Sequence, residues 1–235
     1  MNKPGPLLAA GRDADIFEYG DDSVLRRSRA GRSMALEAKT MDYLGGHGYP
    51  VPTVEALSDD GCDLVMQRID GRSMVEQLGR APWTVRRQAD TLAMLHLRLH
   101  EIPPPDFLPP SPFGEGSSIL HLDLHPLNVL ISDTGPVVID WTSACVGSPD
   151  ADVALAWLLM SAGDIPGGGL RARLLGLGRD LLTNRFFAHF DPDALLPQLH
   201  AVAAWKAADA NLSPEEVASL WRAVRRVEAE APSSQ

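Results

Sequence analysis

Short apolar runs with strand-favouring residues alternate with turn residues at the start of the chain. Ile16-Phe17 and Val24-Leu25 flank Gly20-Asp21-Asp22, a pattern that predicts a β-hairpin over residues 14 to 28. From Ser33 the pattern becomes helical: Met34, Leu36, Met41 and Leu44 are good helix formers, Ser33 is the expected cap and Gly45-Gly46 the expected stop. "YPVPTVEAL" and "GCDLVMQRIDG" then read as extended strands broken by Pro50, Pro52, Asp60 and Gly61. Up to about residue 68 the chain reads as mostly sheet plus one helix.

After Gly71 the periodicity changes. Val85, Ala89, Leu92, His96 and Leu99 recur at helical spacing behind Thr84, the expected cap. Pro103 to Pro112 read as a stiff surface connection. Val129 to Ile131 and Val137 to Ile139 flank "SDTG", so residues 129 to 140 read as a second hairpin. Three further helices start with proline at the first helical position, at Ser148-Pro149, Asp191-Pro192 and Ser213-Pro214. The last adds Glu216 as a capping box ahead of the stripe Val217, Leu220, Trp221 and Val224. "DVALAWLLM" reads as core helix, no internal repeat is visible, and the tail "APSSQ" is expected to fray. The expected architecture is α+β, with a small mostly-β lobe over residues 1–68 and a larger helical lobe over residues 69–235 carrying one short hairpin.

Composition narrows the partners. A chain of 235 residues, 45% of them hydrophobic, can bury a real core as one large domain or two modest lobes. Lys and Arg number 21 against 31 Asp and Glu, a net charge of -10, which argues against nucleic acid and favours a cationic or neutral small molecule. Cys62 and Cys145 lie far apart among apolar residues, outside any zinc-binding spacing, and are expected to be core thiols. Nothing resembles a signal peptide or a membrane-spanning segment, so no membrane partner and a cytoplasmic location are expected.

The chemistry concentrates in "HLDLHPLNVLISDTGPVVIDW". Asp123 and Asn128 fall on the loop entering the second hairpin and Asp140 at its exit, and both ends of a hairpin lie on one side. Two acids and an amide converging there suit magnesium-dependent phosphoryl transfer: oxygen ligands hold the metal and a separate carboxylate accepts a hydroxyl proton. Catalysis then rests on placement and charge neutralisation.

"HLDLHPLNVL" followed by "VVIDW" resembles the catalytic and metal motifs of the aminoglycoside phosphotransferase family, relatives of protein kinases that usually show H-G-D-x-H-x-x-N and then I-D. The resemblance extends through "VLRR", "EAKTMDYL", "VMQRIDGRSM", "LAMLHLRLH" and "GSPDADVALAW", residues 14 to 160 or so. It implies a two-lobed protein-kinase-like fold, with ATP and Mg²⁺ bound between the lobes. Asp123 would be the catalytic base, with His121 grouped beside it as the residue that holds the loop through backbone. Asn128 and Asp140 would be the metal ligands. His125 would either brace the loop or touch substrate.

The same resemblance places Arg26 where the family has a phosphate-gripping Lys, with Glu37 as its helix partner and Arg27 adjacent. Arg keeps the charge but changes the geometry. "AAGRDADIF" stands where the family has a loop over the phosphates, though only Gly11 is present, and "MQRIDG" resembles the hinge, where backbone groups of Gln67 and Ile69 would meet the adenine edge. Met66 reads as apolar wall or core. Asp152 matches a family aspartate that supports the catalytic loop, and it equally suits the first turn of a helix. Trp141 either floors the acceptor pocket or packs.

The leading expectation is an ATP-dependent kinase that phosphorylates a small-molecule hydroxyl: an aminoglycoside-like antibiotic, a sugar or an amino alcohol. The alternative is a nucleotide-binding regulatory module of the same fold with little turnover, suggested by Arg26 and the poor glycine loop. Only about eight residues separate Asp140 from the next helix, too few for a protein kinase's activation segment. Aminoglycoside-modifying members hold ammonium groups with C-terminal carboxylates. Here Asp164, Asp180, Asp209, Glu215 and Glu228 are scattered among Arg171, Arg173, Arg179, Arg222, Arg225 and Arg226 without an acidic cluster.

Overall fold

The computed structural model describes residues 3–162 and 169–230. Asp164, the tail "APSSQ", and the side chains of Arg171 and Glu228 lie outside the described residues.

The first hairpin forms as expected: β2 (Ala14–Tyr19) and β3 (Ser23–Ser28) pair antiparallel around Gly20, whose φ of 73° the turn requires. An additional strand, β1 (Leu7–Ala10), pairs with β2. The expected loop over the phosphates therefore contracts to the Gly11–Asp13 turn, closed by a Gly11 N–H bond to the Ala14 carbonyl at 2.9 Å. With β4 (Val54–Leu57) and β5 (Asp63–Gln67) these strands make one antiparallel sheet in the order β1-β2-β3-β5-β4.

Helix α1 (Ala35–Gly46) connects β3 to β4 and ends on the expected Gly45-Gly46. Met34 occupies the N-cap position, and the expected cap, Ser33, accepts the Ala35 N–H on its Oγ at 3.3 Å. Beyond Gly46 the chain turns away at Gly48, φ 72°, where Tyr49 N–H reaches back to the Leu44 carbonyl. A left-handed residue followed by a buried side chain terminates a helix. Tyr49 is that buried residue.

The rest is mainly helical: α2 (Met74–Arg80), α3 (Val85–Glu101), α4 (Pro149–Ala162), α5 (Gly169–Phe187), α6 (Pro192–Leu195), α7 (Leu199–Ala207) and α8 (Pro214–Glu230). Ala89, Leu92, His96 and Leu99 of the α3 stripe are buried, while the Thr84 hydroxyl bonds the Ala81 carbonyl instead of capping. In α4 every residue from Ala151 to Leu158 is buried, as a helix apolar on nearly every face requires, and Asp152 is the one charged residue among them. The Ser213/Glu216 capping box forms, at 3.2 and 2.8 Å. Asp191 caps α6 as expected, but the helix stops after four residues and passes into a 3₁₀ turn at Leu196–Gln198.

More sheet is present here than one hairpin. The β8 (Val129–Ser132) and β9 (Gly135–Val138) hairpin gains β6 (Gly71–Ser73) as a third strand, and β7 (Ser118–Leu120) pairs with β10 (Cys145–Gly147). The proline stretch is stitched to β10 through Ser111 N–H to the Val146 carbonyl and Val146 N–H to the Pro109 carbonyl. Strands of three residues paired across long loops leave little periodicity to read. Cys145 is buried as expected, whereas Cys62 is half-exposed beside the Asp60-Gly61 turn. Among the described residues no helix is long and apolar enough to cross a membrane.

Candidate active site

Asp123 and Asn128 lie between β7 and β8, and Asp140 lies two residues beyond β9. The hairpin brings them to one cleft of about 700 Å³, which Arg26, Glu37, Gln67, Ile69 and Lys206 also line. Asn128 Nδ2 donates to the Asp123 backbone carbonyl at 2.9 Å and to Asp123 Oδ2 at 3.1 Å. Its N–H groups are therefore turned to Asp123, and Oδ1 is the Asn128 atom that a hard cation could use. Together with the half-exposed Asp140 carboxylate this makes an all-oxygen donor set, which fits Mg²⁺. Thr142 Oγ1 donates to Asp140 Oδ1 at 2.8 Å.

Two residues beside this chemistry, Leu122 (φ 56°) and Asp140 (φ 68°), are the non-glycine residues with positive φ among those described. Each such conformation costs about 1–3 kcal/mol and persists where the surroundings enforce it. Leu122 stands where the family pattern has glycine. It is held by its own buried side chain and by its N–H, which donates to Asp152 Oδ1 at 2.7 Å.

Asp152 is 1% exposed in the first turn of α4. Its other oxygen accepts from His100 Nε2 at 3.0 Å and lies 3.5 Å from His96 Nδ1, while His96 Nε2 donates to the Leu124 carbonyl at 3.1 Å. Burial pushes the Asp152 carboxyl up, but the bond from His100 and the neighbouring His96 ring outweigh it and hold the group well below the usual carboxylate range. Both readings of Asp152 thus hold: it opens a helix and braces the loop. Removing this carboxylate leaves the Leu122 N–H and the His100 N–H without an acceptor, at about 1–3 kcal/mol for each buried unsatisfied group. Asp152→Ala should lower stability by that amount in a urea titration, and a loss under about 0.5 kcal/mol, the range of ordinary surface substitutions, would disprove the bracing role.

His121 is fully buried and absent from the cleft lining. Its Nε2 donates to the Ile139 carbonyl at 3.1 Å, and burial lowers the imidazole pKa. It ties the loop to the hairpin exit and does not touch the reacting centre, so its grouping with Asp123 as catalytic is corrected to positioning. Trp141 is fully buried, edge-on to Tyr49, with its Nε1 on the Val138 carbonyl at 3.2 Å; it packs. His125 Nε2 lies 3.7 Å from Asp123 Oδ2. Behind the loop, a separate apolar pocket of about 450 Å³ is lined by Val75, Leu78, Pro126, Leu127 and Leu182 with His125 at its edge, and Asp123, Asn128 and Asp140 do not line it.

The pleat of β3 separates the two arginines. Arg26 is 9% exposed and bonds Glu37, itself 4% exposed, as well as Asp140 Oδ1 at 3.1 Å and Thr142 Oγ1 at 3.3 Å. Arg27 faces outward, paired with Asp63 at 2.7 and 2.6 Å. Burial pushes the Glu37 carboxyl up to about 7 against the pull of the Arg26 guanidinium. If Arg26 grips phosphate, Arg26→Ala weakens Mg-ATP binding and slows transfer, Glu37→Ala does so less, and the double variant is less than additive because the pair acts as a unit. Arg26→Lys keeps the charge without the fork and isolates geometry. Wild-type binding and turnover in Arg26→Ala would make Arg26 purely structural.

Gln67, Ile69 and Met66 line the cleft wall. The Gln67 N–H is bonded to the Thr53 carbonyl at 2.8 Å.

Sequence reasoning missed Lys206, whose Nζ donates to Asp123 Oδ1 at 2.8 Å. The available signal was composition: Lys3, Lys39 and Lys206 are the chain's three lysines among 21 basic residues, so a lysine beyond residue 39 is itself unusual here. Burial pushes the Asp123 carboxyl up, but His125 and Lys206 outweigh it and hold the group well below the usual range.

A β-sheet region followed by a helical region, with two acids and an amide in a shared cleft, makes a protein-kinase-like α+β fold. The model of the phosphotransferase enzyme family matches residues 6–118 and 108–184, and the chain belongs to that family. No curated protein sequence matches it significantly. Among solved structures, the gentamicin complex of APH(2″)-IIa has a TM-score of 0.63 at 14% identity, over 95% of this chain and 93% of that one. A thermostable mutant of the aminoglycoside phosphotransferase APH(4)-Ia gives 0.62 at 16% identity, over 97% and 95%. The choline kinase LicA from Streptococcus pneumoniae gives 0.53 at 13% identity, over 97% and 94%. At these identities the likeness is one of fold.

Proposed function

We propose that the chain is an ATP-dependent kinase moving the γ-phosphate of ATP to a hydroxyl of a small molecule. The observation that carries this reading is the convergence of Asp123, Asn128 and Asp140 on one cleft, with Arg26 at its wall in contact with Asp140. In this reading residues 1–68 bind the nucleotide and residues 69–235 supply the catalytic loop and the acceptor side. Arg26, oriented by Glu37, grips phosphate, and backbone groups of Gln67 and Ile69 meet the adenine edge. Asn128 and Asp140 would hold Mg²⁺, which when bound neutralises phosphate charge. Asp123 orients the acceptor hydroxyl and takes its proton as the oxygen bonds to the γ-phosphorus and the bond to the β–γ bridging oxygen breaks, releasing ADP. The neighbour solved as a streptomycin–ATP ternary complex supports nucleotide use in this fold.

The contact of Arg26 with Asp140 favours a second reading, because a guanidinium on the metal-binding carboxylate would oppose metal entry in a module that binds nucleotide without turnover. An ATP-consumption screen over hydroxylated metabolites and antibiotics, with Asp123→Asn as control, separates the two. Acceptor-dependent consumption lost in the control supports the kinase; nucleotide binding with no consumption above the control supports the module.

A further inference from the structure

Lys206 places an ammonium against the acid read as the general base. Helix α7 is anchored by Val202 and Ala203, both fully buried, and a residue three or four positions on lies on the same face. Trp205 meets Phe113 edge-on, with ring centroids 5.6 Å apart, and further seats that turn. The Lys206 side chain is only 14% exposed, so its reach toward the catalytic loop is part of the packed structure. Besides Asp123 at 2.8 Å, Nζ lies 3.9 Å from Asp209 Oδ2. Arg12, across the cleft, is paired with Glu216 at 2.9 Å and bonds the Asn211 carbonyl at 3.1 Å.

This arrangement decides which charge can approach the base. Of the carboxylates that line the cleft, Glu37 and Asp140 are held by Arg26 and Asp13 by Arg32, and the remaining two, Asp123 and Asp209, face Lys206. A second cation there would meet like charge in a partly desolvated cleft, where the interaction is several times stronger than in water. A neutral hydroxyl, or one beside a carboxylate or phosphate, meets a hydrogen-bond donor instead. We propose that Lys206 is the specificity-determining residue of the acceptor site, admitting non-cationic hydroxyl compounds such as sugars and hydroxy acids and rejecting those that carry ammonium groups. The inference rests on Asp123 being the base, and it separates this chain from neighbours solved with gentamicin or named for choline.

Calorimetry on the full chain with Mg-AMP-PNP present tests it, using choline and kanamycin as cationic probes and myo-inositol and glycerate as the neutral and anionic ones. Lys206→Met should bind choline or kanamycin at least 10-fold more tightly than wild type and glycerate less tightly. Lys206→Arg, which keeps the charge, should resemble wild type. Equal cation affinity in wild type and Lys206→Met, including no binding to either, overturns the proposal, as does wild-type preference for the cations. The Mg-AMP-PNP titration itself reports on the kinase reading: if nucleotide fails to bind, that reading falls independently of Lys206.

Discussion

Asp123→Asn lowers turnover by roughly 10²-fold or more while Mg-ATP still binds, because the substitution preserves shape and removes the group that takes the hydroxyl proton. The surroundings give the expectation its size. His125 and Lys206 keep the Asp123 carboxylate ionised despite burial, and Asn128 holds its orientation through two hydrogen bonds. An amide at this position can still accept from Lys206, so the loop should stay in place and the loss should fall on chemistry. Single-turnover kinetics paired with Mg-ATP calorimetry makes the separation. Near-normal turnover would remove Asp123 from the mechanism.

The second large effect is expected at the hairpin exit. Asp140→Ala removes a carboxylate from the proposed metal position, so Mg-ATP affinity should fall about 10-fold or more, the scale seen even for residues that only support metal ligands, and turnover should fall with it. Arg26 keeps Glu37 as a partner in this variant and need not leave its place. Asp140→Asn should lose less, since Asn keeps an oxygen ligand and tolerates the left-handed backbone at φ 68° better than Ala does. Calorimetry showing Mg-ATP binding unchanged in Asp140→Ala would disprove the ligand assignment.

Local chemistry was legible along the chain wherever neighbours in sequence are neighbours in space. The β2–β3 and β8–β9 hairpins, the apolar stripe of α3, the buried α4 and the Ser213 capping box follow from turn residues and periodicity alone. So does the approach of Asp123, Asn128 and Asp140, because a hairpin returns its ends to one side. Where sequence reading failed, a local preference lost to tertiary pairing: the stretch expected as a loop over the phosphates became β1, which pairs with β2. The three-residue strands β6, β7 and β10 owe their existence to partners across long loops.

The sequence by itself determined the α+β order of elements, the acid–amide–acid set and the presence of two adjacent arginines on one strand. Family resemblance singled out Arg26 over Arg27, but tertiary structure alone decided that Arg26 reaches Asp140 across 114 positions and that Lys206 reaches Asp123 across 83. The reason is physical: a pleat or a helix turn fixes which residues share a face, but what that face meets depends on how the elements pack, and a single long side chain leaves no periodic signal of its partner.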